Sequence, residues 1–97
     1  MPTYISLINW TEQGIKNFKD TRERADAFSE MAQKAGASLK DVYWTLGDFD
    51  LVAITEAPDD ETAAALLYRL GAGGNVRTKT LRAFGRSEIA GILEKAE

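Results

Sequence analysis

The stretch YWTLGDFDLVAI, residues 43–54, decides the fold. Two runs rich in β-branched and aromatic residues flank Gly47-Asp48, the pattern of an antiparallel hairpin. Taking Gly47-Asp48 as a two-residue, glycine-first loop sets the register. Leu46 then faces Phe49, Thr45 faces Asp50, Trp44 faces Leu51 and Tyr43 faces Val52. Residues directly opposite one another share a face of the sheet. One face carries Leu46, Phe49, Trp44, Leu51, Val42 and Ala53. The other carries Thr45, Asp50, Tyr43, Val52 and Ile54. Both faces are substantially apolar, and one encloses a polar group of Thr45, Asp50 and Tyr43. A loop one residue longer would exchange the faces.

Outward from the hairpin, strands are expected over residues 39–46 and 49–56. The opening TYISLINW, residues 3–10, is a strand with apolar members in both alternating sets, as in a central strand covered twice. Thr11 offers an N-cap, with Glu12 and Gln13 in the first turn. Ile15, Phe18, Ala25, Phe28, Ala32 and Ala35 follow at helical spacing, and Gly36 ends the run. One helix over 12–35 would be about 36 Å long at the helical rise, against about 26 Å for an eight-residue strand. A break is therefore expected near residues 17–20, where Asp20-Thr21-Arg22-Glu23 resembles a second capping box. Pro58 and Asp59-Asp60-Glu61 suit the start of a second helix through AAALLYRL. Gly71, Gly73 and Gly74 stop it. GAGG follows a helix and precedes a strand, the reverse of a phosphate-binding loop. NVRTKTLRAF, residues 75–84, is the last strand, and Ser87 is the expected cap of a short terminal helix.

The order is β-α-β-β-α-β plus a helix, an α+β ferredoxin-like sandwich. Right-handed crossovers put both main helices on one face of a four-stranded antiparallel sheet. The other face has no cover within the chain. An open apolar sheet face predicts pairing with a second subunit, as a homodimer or a higher homo-oligomer.

Composition narrows the chemistry. The 97 residues suit one domain, 1–97, and a chain that a partner subunit would help to stabilise. The net charge of −3 and scattered basic residues argue against nucleic acid. Lys16, Lys19, Arg22 and Arg24 alternate with Asp20, Glu23 and Asp26 and read as a solvated helix face. With no cysteine and no histidine, the chain offers no disulfide, thiolate metal site, Ser-His-Asp arrangement or histidine-ligated haem. No metal or other cofactor is expected. The N-terminus lacks the features of a signal peptide, and no run is long and apolar enough to span a membrane, so the cytoplasm is the expected location.

The hairpin YWTLGDFD, the segment EAPDDETAAALL, the strand GNVRTKTLRAF and the opening YISLINWTEQGIKN together resemble the GYD domain family, over roughly residues 3–85. Residues 86–97 lie beyond these motifs and read as an appended helix. Phe49 stands where the family's name implies tyrosine. The resemblance implies a fold like the dimeric α+β barrels, with two sheets face to face. It implies little about activity.

Several residues carry alternative readings. Asp50 is either a turn residue bonding nearby backbone N–H groups or a general base in a dry pocket. Arg77 is either its partner or the holder of an anionic ligand. Trp10, Tyr43 and Trp44 are either packing residues or the walls of an aromatic pocket. The leading expectation is a self-associating protein that binds a small, partly apolar molecule, between sheet and helices or between subunits. Tyr43, Thr45, Asp50 and Arg77 are the candidate ligand-binding residues. The alternative is a cofactor-independent monooxygenase, decarboxylase or isomerase, with Tyr43, Asp50 and Arg77 as catalytic candidates. A tautomerase using an exposed Pro2 is a further alternative, since MPTYISL is similar to the start of that superfamily. A third class is a pure assembly or regulatory module.

Overall fold

The computed structural model describes residues 1–97. Its central strand, β1 (Thr3–Trp10), is followed by α1 (Glu12–Lys16), a 3₁₀ turn (Phe18–Asp20) and α2 (Thr21–Lys34). Strands β2 (Ser38–Trp44) and β3 (Leu51–Glu56) form the hairpin, and α3 (Asp60–Ala72), β4 (Val76–Ala83) and α4 (Arg86–Lys95) complete the chain. The sheet is antiparallel in the order β2-β3-β1-β4, the ferredoxin-like arrangement. Tyr4, Ser6 and Ile8 of β1 are buried on the helix side, and their alternates Ile5 and Leu7 are only half-buried on the open side. The double-sided apolar pattern of β1 thus records one covered face and one uncovered face.

Hairpin register follows the sequence expectation, with Trp44 opposite Leu51, Tyr43 opposite Val52 and Val42 opposite Ala53. The strands end earlier than expected, at Trp44 and Leu51, and one further backbone bond, Thr45 N–H to Asp50 O at 2.9 Å, closes the loop. Lower in the hairpin the register shifts between Leu39 and Asp41. This bulge turns Leu39 to the helix side, opposite Thr55, and leaves Asp41 beside Ile54 on the open side.

The helical break falls where the length mismatch placed it. Thr11 caps α1 by accepting from Gly14 N–H at 3.1 Å. The second capping box does not form: Asp20, at φ −89° and ψ 4°, lacks the extended backbone of an N-cap and its side chain makes no capping bond. The break also swings Ile15 and Phe18 outward, to 47% and 52% exposure, where one continuous helix would have buried them. Asp59 caps α3 through Thr62 N–H at 2.7 Å. At the start of α4 the cap position is Gly85 rather than Ser87, and the Glu88 carboxylate accepts from Gly85 N–H at 3.1 Å. No residue of α4 is buried, so Ile89, Ile92 and Leu93 form an exposed apolar ridge.

The core is thin. Only 14 of 97 residues are buried, and no large side chain is wholly enclosed. Tyr4, Phe28, Ala32, Ala37, Ala57, Ala63 and Leu66 form one cluster between helices and sheet. Ile8, Leu51, Ala53 and Val76 form a second on the sheet itself. Burial this sparse leaves uncovered apolar surface on both sides of the sheet.

Candidate functional site

Between α2, α3 and the sheet lies an apolar cleft of about 380 Å³. Its origin is compositional. Where Ala32 of α2 and Ala63 of α3 join one buried cluster, the layers close. Toward the start of α2 and the end of α3, the lining residues Ala25, Ala27 and Gly73 are too small to fill the space over Ile8 and Leu51. Trp10, Phe28, Met31 and Leu70 supply the larger walls.

One end of the cleft is built by the junction of β1 and α1 against the turn after α3. Thr11 N–H donates to Asn75 O at 3.0 Å, and the Thr11 hydroxyl donates to Gly74 O at 2.5 Å. The Gln13 side-chain amide donates to Gly73 O at 3.2 Å and to Asn75 Oδ1 at 3.0 Å. A Cβ on Gly14 would sit 2.0 Å from Asn75 O, so only glycine allows the two segments to meet. Arg24 reaches back from α2 and donates to Asn17 O at 2.9 Å and Gly14 O at 3.3 Å. Arg69 stands at the rim in the last turn of α3. The cleft lining contains no aspartate or glutamate.

The candidate ligand-binding and catalytic residues named from the sequence fall elsewhere. Asp50 Oδ2 accepts from Trp10 N–H at 2.9 Å while Asp50 N–H donates to Ile8 O at 2.8 Å. The carboxylate thereby replaces the missing next rung between β1 and β3. Thr45 is adjacent, and its hydroxyl donates to Phe49 O at 2.6 Å. Phe49 contributes its carbonyl to this knot. Tyr43 is 56% exposed on the open sheet face. Arg77 lies on β4, opposite Asn9, and its guanidinium runs toward Gly71 of α3. Two strands separate β2 from β4, which is about 14 Å at the usual strand spacing. Thr45 and Asp50 are brought together, Tyr43 stands nearby on the same hairpin, and Arg77 is on the far edge. The Asp50–Arg77 pair, one of the two readings of Arg77, does not form; the chain's one ion pair is Arg82–Glu88 at 3.3 Å. Trp10 is a cleft wall, whereas Trp44 lies outside the cleft lining and donates its indole N–H to Thr21 at 2.9 Å. Pro2 sits before β1, its carbonyl accepting from Ala57 N–H at 3.1 Å.

Arg24, Met31 and Arg69 carry no site signal in the sequence. The alternating charges around Arg24 resemble a solvated face, and only the fold-back of α1 gives its guanidinium two carbonyls to hold. At the opposite end of β1, the Tyr4 hydroxyl donates to Asp60. That hydrogen bond, with burial and the nearby negative charge, pushes the Tyr4 phenol up to about 12. Hydrogen bonds from the side chain and backbone of Thr62 hold the Asp59 carboxyl below the usual range. The Gly85 N–H and then Arg82 do the same for Glu88. Arg82 also lies over the Phe84 ring, 4.5 Å from its centroid.

Comparison with known proteins agrees with this architecture. The Thermus thermophilus "Glutamine synthetase and cystathionine beta-lyase binding protein" is 30% identical over 95 residues, covering 97% of this chain and 100% of that relative. The crystal structure of TTHA0845, also from Thermus thermophilus, superposes with a TM-score of 0.55 at 28% identity, covering 88% of this chain and 95% of that one. The Mycobacterium tuberculosis leucine response regulatory protein LrpA gives a TM-score of 0.66 at 17% identity, a likeness of fold alone. It covers 87% of this chain, which spans about half, 51%, of that regulator. The GYD domain matches residues 4–93, from the central strand into α4. With the motif-bearing hairpin, the second helix and the last strand all inside that match, the chain belongs to the GYD domain family.

Proposed function

We propose that this protein is a cytoplasmic, self-associating binding module that pairs with a second copy through its sheet, docks onto other proteins, and holds a small, partly apolar molecule in its helix-side cleft. The open face of the sheet carries the reading. Two rows cross it: Tyr43, Val52, Leu7 and Lys79, and Asp41, Ile54, Ile5 and Leu81. Their apolar centres have no cover within the chain, and Tyr43 and Leu81 are 56% and 52% exposed. Charge favours one stacking. On that face Asp41 lies on β2 at one edge and Lys79 on β4 at the other. A twofold axis parallel to the strands sets each β2 over the opposite β4 and brings unlike charges together.

Docking onto other proteins is supported by the full-length relative, which is named for binding two enzymes. No helix of this chain is long and apolar enough to cross a membrane.

Light scattering on the purified chain should return a dimer or a multiple of it. Leu7→Glu, at the centre of the open face, should give monomers with an unchanged far-ultraviolet circular dichroism spectrum. A monomeric wild type refutes sheet pairing. Surface plasmon resonance against glutamine synthetase and cystathionine β-lyase from the same organism tests the protein-docking part, which fails if neither binds.

A further inference from the structure

The cleft is apolar within and basic at one end. Ile8, Trp10, Phe28, Met31, Leu51 and Leu70 form its interior, and Arg24 and Arg69 are its only charged lining residues. Neither arginine is neutralised by a carboxylate, since the chain's one ion pair lies elsewhere, at Arg82–Glu88. Arg24 is half-buried, and the carbonyls of Asn17 and Gly14 fix its guanidinium without cancelling its charge. A guanidinium offers five N–H donors in a planar fork. Two bonds hold this one in place and leave the rest for a ligand. A fixed, uncompensated cation beside an apolar cavity recognises an anion with an apolar body.

The same lining excludes other chemistries. A zwitterionic amino acid brings an ammonium group, and the cleft has no carboxylate to receive it. Sugars would bury more hydroxyls than the few neutral polar lining residues, Ser6, Thr21, Thr55 and Asn75, can partner. At about 380 Å³, the cleft falls toward the small end of the usual range for small-molecule sites, about 300–1,000 Å³. That is too little for a two-chain lipid. We propose that the cleft binds a monocarboxylate with a medium-length or aromatic apolar body. The carboxylate meets Arg24, Arg69 closes over it from the rim, and the body lies against Phe28, Met31 and Leu51. This assignment rests on the cleft being the small-molecule site.

Titration calorimetry of the full chain with octanoate, octan-1-ol and octylamine tests it. One octanoate should bind per chain, with octan-1-ol at least tenfold weaker and octylamine weaker still. Arg69→Gln, at an exposed position, should lower octanoate affinity several-fold and leave octan-1-ol unchanged. Ala25→Trp, which fills the cleft, should abolish all binding while circular dichroism reports an intact fold. Octanoate binding no tighter than octan-1-ol, with Ala25→Trp still blocking both, overturns the monocarboxylate assignment and leaves the cleft reading standing. Absence of binding by every probe at millimolar concentration overturns both. Light scattering on the same samples separates a last case: an oligomer that dissociates in Ala25→Trp would place a second copy in the cleft and overturn both.

Discussion

Gly14→Ala adds one carbon at the tightest point of the molecule. That carbon would lie 2.0 Å from Asn75 O and 2.9 Å from Asn75 C, both backbone atoms that cannot rotate away. Relief requires α1 and the turn after α3 to separate by more than an ångström. Such a shift breaks the two bonds that hold the junction, Thr11 N–H to Asn75 O at 3.0 Å and the Thr11 hydroxyl to Gly74 O at 2.5 Å. Each hydrogen bond contributes about 1 kcal/mol net, and overpacking adds about 1–3 kcal/mol. A loss of about 3 kcal/mol lowers Tm by about 12–24 °C in a domain of this size. Gly91→Ala is the internal control. It makes the same chemical change in an α-helix with nothing within 4 Å of the new carbon. Helix propensity alone predicts a gain there of up to about 1 kcal/mol. Thermal and urea unfolding followed by circular dichroism should therefore give opposite signs for the two variants. A Gly14→Ala variant within about 1 kcal/mol of wild type would refute the close-approach account.

Asp50→Ala should cost about 1.5–3 kcal/mol, since it strips a charged acceptor from Trp10 N–H. Asp50→Asn keeps an acceptor there and should retain most of that stability; equal urea midpoints for the two variants would remove the strand-end role. The hydrogen bond to Asp60 pushes the Tyr4 phenol in the folded state from its ordinary value of 10.0 up to about 12. Its bond to Asp60 therefore contributes fully below pH 10 and is lost as pH rises through 12, so wild type should show an alkaline stability loss that Tyr4→Phe lacks. Asp59 has the opposite sign. Its lowered carboxyl pKa gives a contribution present above the unfolded value and lost as pH falls through the folded one. Asp59→Ala should consequently flatten the acid limb of the stability profile, and an unchanged limb would exclude the cap as its source.

What is legible in the sequence follows from periodicity. The two-residue repeat of the hairpin determines which side chains share a face, and glycine placement marks the ends of α2 and α3. The bulge between Leu39 and Asp41 is not legible, because polar residues crowd that part of β2 and no apolar alternation marks the slip. Ile15 and Phe18 read as part of a buried stripe because their spacing fits a single helix; the 3₁₀ turn that begins at Phe18 and leads into α2 changes the rotation and exposes them. The cleft is hidden for a subtler reason. Alanines at helical spacing, such as Ala25 and Ala32, look alike in sequence. Ala32 marks close packing at one end of the helix pair, and Ala25 marks a gap at the other. Asp50 stands out in the sequence, but its partner, a backbone N–H on β1, carries no sequence signature at all.

The alternation of β1 also decides how assembly and ligand binding relate. Ile5 and Leu7 belong to the face proposed for pairing, whereas Ser6, Ile8 and Trp10 line the cleft. Side chains on successive residues of a strand point to opposite faces, so no β1 side chain serves both surfaces. A charge introduced at Leu7 therefore meets the partner sheet and leaves the cleft walls untouched. Ala25→Trp fills the cleft from α2, on the far side of the sheet from the pairing face. If the two surfaces act independently, Leu7→Glu monomers should bind octanoate as tightly as the assembled wild type does. A weaker Kd in the monomer would mean that pairing stiffens the sheet beneath Ile8 and Leu51, and that the cleft is completed only on assembly. Calorimetry on the Leu7→Glu protein distinguishes these outcomes directly, because its ligand stoichiometry and affinity are read without any contribution from subunit exchange.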